Sequence, residues 1–301
     1  MNLIQQLALE LEIRPEQVER TIKLFDEGNT MPFIARYRKE VTGRLDEEQL
    51  RSLEERLSYL RNLEARKEEV LRIIGEQDKL TPELEEAIKG AVILQEVEDY
   101  YRPFRPKRRT RATIAKEKGL EPLAEIMIKQ ELTVGDRRLI AQPYINPELG
   151  VDDPEQAIAG ARDIIAEQIS DNADWRKIIR EYLWGNALLS TELKEETPEA
   201  AVYRQYHNYS EPVKKIPPHR VLAINRGEKE GYLKAGLQIE SSQLLLRLQA
   251  LVLTNPGNIF ADDLKTATED SLNRLLLPSI EREIRTKLTE AGEEQAIKVF
   301  A

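Results

Sequence analysis

The stretch DEEQLRSLEERLSYLRNLEARKEEVLRIIG, residues 46–75, decides the fold class. Leu50, Leu53, Leu57, Leu60, Leu63, Val70 and Ile74 recur in steps of three and four, the spacing that lines one face of an α-helix. Asp46 stands where a capping side chain is needed, Glu47 and Glu48 suit the positive end of the helix dipole, and Gly75 ends the run. At 1.5 Å per residue such a helix is on the order of 40 Å long, as long as a domain is wide. It needs partners on its apolar side, and the flanking sequence supplies them.

Upstream, Leu3, Ile4, Leu7 and Leu11 mark a short first helix. Pro15 opens a second, with Val18, Ile22 and Phe25 inward and Gly28-Asn29 as its stop. A third follows Met31-Pro32, with Phe33, Ile34 and Tyr37 on one side and Arg36, Arg38 and Lys39 largely on the other. Three short helices with tight turns are compatible with a helix-turn-helix arrangement, as they are with any small bundle.

Downstream, Thr81-Pro82-Glu83 starts a helix with Leu84, Ile88, Ala91 and Leu94 inward, which can pair with the long helix as an antiparallel hairpin. Helices resume near Thr113 and Leu120. Another opens at Asp153-Pro154 with Ile158, Ala161, Ile165 and Ile169 inward, and the next starts at Asp171 or Asn172 with Trp175, Ile179 and Leu183. Ile216-Pro217-Pro218-His219 interrupts the pattern. Leu233, Ala235, Leu237 and Ile239 alternate as in a short strand. Helix returns from Asp262 to about Leu276 and again from Pro278. The fold class is mainly α: a multi-helix region with a helix-turn-helix-like start, a long helix and at most a few short strands. The expected divisions are 1–75, 76–215 with a basic segment at 99–118, and 216–301. The apolar, helical ending Gln295 to Ala301 is expected to lead into a further domain.

Composition excludes several chemistries. With no cysteine there is no disulfide framework, thiolate nucleophile or cysteine zinc site. Two histidines, His207 and His219, cannot build a histidine-rich metal centre. No Gly-Lys dipeptide occurs, so there is no Walker A loop, and neither GxGxxG nor GxSxG is present. Asp152-Asp153 and Asp262-Asp263 can bind metal in principle, but each precedes a helix and reads better as a cap. His219 beside Arg220 suits a phosphate contact or a buried structural histidine. No apolar run approaches the roughly 20 residues of a membrane helix, and the start lacks the pattern of a signal peptide. A cytoplasmic protein with no enzymatic activity, no cofactor, no metal and no membrane partner is expected.

The net charge of −9 argues against indiscriminate nucleic-acid binding, but it is uneven. Between Asp99 and Lys118 lie eight cations, Arg102, Arg105, Lys107, Arg108, Arg109, Arg111, Lys116 and Lys118, against only Asp99 and Glu117. Pro103 and Pro106 favour extended backbone there. Two readings stay open. The cations can neutralise phosphates while Tyr100, Tyr101 and Phe104 stack on bases. Alternatively, they pair with the chain's own carboxylates and cement it. The candidate nucleic-acid-binding set is Arg36, Arg38, Lys39, Arg102, Arg105, Lys107, Arg108, Arg109 and Arg111.

Several stretches together resemble the bacterial transcription accessory protein Tex family. They are Met31–Arg38 (MPFIARYR), Tyr101–Arg111 (YRPFRPKRRTR), Gly119–Ala124 (GLEPLA), Ala161–Glu167 (ARDIIAE) and Pro218–Glu228 (PHRVLAINRGE). The resemblance implies a cytoplasmic nucleic-acid-binding factor linked to transcription, similar to a eukaryotic elongation factor that handles histones. It implies a helical N-terminal part with a helix-turn-helix-like start. An RNase-H-like domain, helix-hairpin-helix modules and an oligonucleotide-binding barrel, the family's main RNA-binding element, would follow beyond Ala301. The expected function is an N-terminal scaffold making weak, sequence-independent contact with RNA or DNA, with the main grip in the domains this chain does not contain. The transcription machinery is a further expected partner. The alternative is a protein–protein interaction module that does not touch nucleic acid.

Overall fold

A computed structural model describes residues 3–300, with side chains described through residue 297. The last residues of the apolar ending therefore lie outside the described side chains. The chain divides into two compact units, Met1–Phe104 and Arg105–Ala301.

In the first unit, α1 (Leu3–Glu10), α2 (Pro15–Asp26) and α3 (Met31–Tyr37) pack on α4 (Glu47–Gly75), as do α5 (Pro82–Gly90) and α6 (Leu94–Tyr101). The long helix starts at a capping box. The Asp46 carboxylate accepts from the Gln49 N–H at 2.8 Å, and the Gln49 side chain accepts from the Asp46 N–H at 3.1 Å. All seven predicted apolar positions are buried. An eighth buried residue is Lys67, whose ammonium donates to Glu64 at 2.7 Å and to the Lys89 carbonyl at 3.0 Å. That carbonyl lies in the last turn of α5, where a cation satisfies orphan acceptors and opposes the helix dipole. Near its middle, α4 shares a cleft with the start of α3, where Met31 and Pro32 face Leu57, Ser58 and Arg61. Past its end, the Gln77 amide donates to the Phe104 carbonyl at 3.2 Å.

Two expectations here are corrected. The helix predicted from Thr81 is two helices, broken at residues 91–93. The Ile93 backbone is extended (φ −133°), the Leu94 N–H donates to the Tyr59 hydroxyl at 3.1 Å, and Leu94 is exposed. The aromatic start of the basic segment is not extended. Helix α6 runs through Tyr101, a 3-10 turn covers Arg102–Phe104, and Tyr100, Tyr101 and Phe104 pack against the core of the first unit.

The second unit is built on α10 (Pro154–Asp171). Before it come α7 (Arg111–Glu117), α8 (Glu121–Lys129) and α9 (Arg137–Ala141). After it come α11 (Ala173–Asn186), β1 (Leu188–Leu193), β2 (Asn208–Pro212), α12 (Pro218–Lys229), β3 (Leu233–Gln238), α13 (Ser242–Val252), α14 (Ala261–Asp270) and α15 (Leu277–Phe300). Asp153 caps α10 by accepting from the Gln156 N–H at 2.8 Å, and Asn172 caps α11 by accepting from the Trp175 N–H at 3.0 Å. Glycine at 160 lets α7 and α8 approach α10 closely. The strands form one antiparallel sheet in the order β2-β1-β3, with Leu189 opposite both Glu211 and Leu237. Only β3 follows the predicted alternation, and α13 lies outside the predicted elements. The expected break before Pro278 is instead a π-helical turn, Ser271–Leu276, which joins α14 to α15. Among the described residues no helix is long and apolar enough to cross a membrane.

Candidate nucleic-acid interface

The first candidate surface is on α3 and the loop after it. Gly28 takes a left-handed turn (φ +82°), and the Asn29 side chain closes α2 by donating to the Leu24 carbonyl at 2.9 Å. Pro32 sits in the first turn of α3, and Ile34 and Ala35 point into the core. Phe33 and Tyr37, predicted to share a side with Ile34, are 37% and 62% exposed. One turn apart, their rings lie 5.3 Å from centre to centre, tilted by 46°. The Arg38 guanidinium sits 5.4 Å over the Phe33 ring.

Beyond α3 the loop is pinned rather than loose. The Thr42 N–H donates to the Arg38 carbonyl at 3.1 Å, and the Arg44 N–H to the Lys39 carbonyl at 2.7 Å. The Gln17 amide of α2 donates to the carbonyls of Thr42 and Gly43 at 3.3 and 3.0 Å. Gly43 and Arg44 are both left-handed (φ +67° and +65°). The result is a fixed presentation of four exposed cations, Arg36, Arg38, Lys39 and Arg44. Among the described residues, none has a carboxylate within ion-pair distance. Glu40 is the one acid between Met31 and Leu45.

The basic segment is built differently. Arg102 lies in the 3-10 turn that ends the first unit, and Arg105 begins the second. Lys107 reaches between two carboxylates of α10, Glu167 at 3.1 Å and Asp171, and its side chain is only 24% exposed. Arg109 pairs with Glu117 at 2.9 Å, Lys116 with Glu121 at 2.6 Å, and Lys118 donates to the Gly150 carbonyl at 2.9 Å. Arg111, at the start of α7, acts on Asp163 and Asp270. Burial pushes the Asp163 carboxyl up, against the pull of Arg111 and Arg274. The hydrogen bonds from Arg274 hold Asp270 below the usual carboxylate range. Arg108 is exposed and has no carboxylate within ion-pair distance among the described residues.

The predicted cations thus fall into two classes. Arg36, Arg38 and Lys39 are exposed and without an ion pair among the described residues, whereas Lys107, Arg109 and Lys116 pair with the second unit's own acids. Sequence reasoning missed Arg44, and it grouped Phe33 and Tyr37 with Ile34, which alone of the three is buried. The four cations against one acid around α3 were a readable signal; the exposure of the rings was not.

The acidic pairs behave as caps and ion-pair partners. Asp153 caps α10, Asp262 pairs with Lys265 at 3.0 Å, and Asp263 accepts from Arg137 at 3.1 and 3.2 Å. No group of three His, Asp or Glu converges to hold a metal among the described residues. The His207 ring lies 3.1 Å from the Ala200 carbonyl, and His219 sits in the first turn of α12.

Two family models match the chain: the Tex-like protein N-terminal domain over residues 1–75 and the Tex central region-like domain over 136–300. The chain belongs to the Tex family. The transcriptional accessory protein Tex of Neisseria gonorrhoeae is 38% identical, over 100% of this chain and 40% of its own length. Protein tex of Bordetella pertussis is 41% identical, over 100% of this chain and 39% of its own length. A more distant relative is human S1 RNA-binding domain-containing protein 1, 26% identical over 99% of this chain and 31% of that protein. The chain therefore spans about two fifths of the bacterial Tex proteins it matches. The open patch on α3 falls within the Tex N-terminal match, and the basic segment falls between the two matches.

Proposed function

We propose that this Tex region is a helical scaffold that makes weak, sequence-independent contact with nucleic acid. The contact runs through Arg36, Arg38, Lys39 and Arg44, with no catalytic step and no cofactor. The observation that carries this reading is the open state of those four cations in a chain whose other basic cluster has Lys107, Arg109 and Lys116 in ion pairs. Phosphates are the complementary ligand for such a group, and contacts to phosphate carry no sequence information. The names of two relatives, a transcriptional accessory protein and an S1 RNA-binding domain protein, agree with this direction. On this reading the main grip lies in the remaining length of Tex proteins, and the region works in the cytoplasm beside the transcription machinery.

The test is a fluorescence-anisotropy titration of a short labelled single strand against salt. Four engaged cations give a slope of log K against log salt of about −3, so affinity falls by a factor of about 50 between 50 and 200 mM. Replacing all four with Gln should flatten the slope. A variant that binds like the parent at every salt concentration refutes this site. A parent that does not bind at all leaves protein–protein interaction as the function.

A further inference from the structure

We infer that Phe33 and Tyr37 form a stacking platform for unpaired bases, so that the α3 patch selects single strands over duplexes. The inference rests on the contact reading above and adds to it the class of ligand.

Neither ring lies in the core of the first unit. The buried contacts of α3 are made by Ile34 and Ala35. Instead the two outward positions, one helical turn apart, both carry an aromatic ring. Exposing large apolar side chains side by side is unfavourable in water unless something covers them. The cover must tolerate positive charge, because Arg38 lies over Phe33, Arg36, Lys39 and Arg44 are exposed on the same helix and the loop after it, and Glu40 is the one acid between Met31 and Leu45. A nucleobase with its phosphate meets both demands: a flat π-face for the ring and an anion for the cations. The Arg38 guanidinium lies 5.4 Å from the Phe33 ring centre, within cation–π range, which places a cation beside the ring for a phosphate.

The platform also discriminates. In a duplex both faces of each internal base are covered by its neighbours, so a protein ring finds none free. In a single strand or loop the bases turn out and stack on aromatic side chains. Because every base has a π-face, the selection is for strandedness and not for sequence. An acidic protein segment fits the charge but lacks the regular succession of aromatic faces that a strand of bases offers the rings.

The experiment compares three labelled ligands of equal phosphate count: a single strand, the corresponding duplex, and an abasic strand with the same backbone and no bases. The parent should bind the single strand roughly fivefold or more tightly than either of the others, from one to two stacked bases. The Phe33→Leu/Tyr37→Leu variant keeps apolar bulk and every charge. It should lose that preference while keeping the parent's salt slope. Both sites are on the surface, and an unchanged far-ultraviolet circular dichroism spectrum verifies the fold. Tyr37→Phe keeps the ring and should bind like the parent. Equal binding of abasic and normal strands, or an F33L/Y37L variant that still prefers single strands, overturns the platform and leaves the electrostatic contact standing. Loss of the salt slope or of all binding in the parent overturns both. Tight capture of an acidic peptide with no response to the strand would reassign the patch to a protein partner.

Discussion

Gly160, in the middle of α10, pits helix propensity against packing. In an exposed helix interior, Gly→Ala stabilises by about 1 kcal/mol. At this position an added Cβ would lie 2.3 Å from Leu120 Cδ1 and 3.5 Å from Ala115 Cβ. Carbon atoms in contact normally sit about 3.5–4.0 Å apart, so Leu120 would have to retreat by more than an ångström. Leu120 is 1% exposed within the core of the second unit, and although it borders a cleft shared with Val151 and Gly160, moving there would give up its present core contacts. Overpacking of this kind costs about 1–3 kcal/mol. A clash this close belongs in the upper part of that range, so Gly160→Ala should be net destabilising by about 1–2 kcal/mol. For a unit of this size the melting midpoint should drop by about 2–8 °C, read from a circular dichroism melt of the whole chain. A variant that melts at or above the parent would refute the close approach of α7 and α8 to α10. The companion test is a double-mutant cycle. Leu120→Ala alone should cost about 2–5 kcal/mol. In that background Gly160→Ala should turn stabilising, because the blocking methyl is gone and propensity remains. If the sign does not invert, Leu120 is not the obstacle, whatever the single mutant does.

Two further outcomes follow from the ion pairs of the second unit. Lys107→Gln removes the cation shared by Glu167 and Asp171, which are largely buried; discounting for their residual exposure, about 1–2 kcal/mol is lost, with a melting drop of about 2–8 °C. Its salt slope for strand binding should match the parent's, and a flattened slope with unchanged melting would return the basic segment to the nucleic-acid interface. Asp263→Asn tests pH dependence: burial raises the Asp263 carboxyl above its ordinary range despite Arg137 and Arg162. The folded state therefore holds a proton there after the unfolded state has lost it. This group's contribution is most favourable below the ordinary Asp value and declines as pH rises through the raised one. Denaturation should show Asp263→Asn gaining on the parent between pH 3 and pH 7; a constant or shrinking difference contradicts the direction of the shift.

The parts of the fold that are legible in the sequence are those whose causes are local. Helix α4 is written by a stripe, a cap and a stop within thirty residues, and α10 by Asp153-Pro154 and its apolar face. Strands β1 and β2 are not legible. β1 buries Thr191, whose hydroxyl is satisfied by the Tyr206 carbonyl, so no apolar alternation marks it. β2 is a polar strand at the sheet edge, Asn208–Pro212, half exposed along its length. The site divides in the same way. The cations Arg36, Arg38 and Lys39 can be picked out from composition, but which basic residues are spent on ion pairs cannot, because Lys107 meets Asp171 across 64 residues of chain. Phe33 and Tyr37 share their periodicity with Ile34, and only the packing shows that α3 is rotated to bury one and present the others.

The long helix α4 also acts as a ruler. Helix α3 begins against its middle, at Leu57 to Arg61, while the chain leaves the first unit at Phe104, held by Gln77 just past the helix end. The intervening turns of α-helix set that separation on the order of 25 Å. A helix resists stretching and bending far better than a loop of equal length, so thermal motion hardly changes the interval. A strand seated on the α3 patch would be held at a set stand-off from the unit's exit, and adding or deleting a turn of α4 would change that stand-off in steps of about 5 Å without altering the patch.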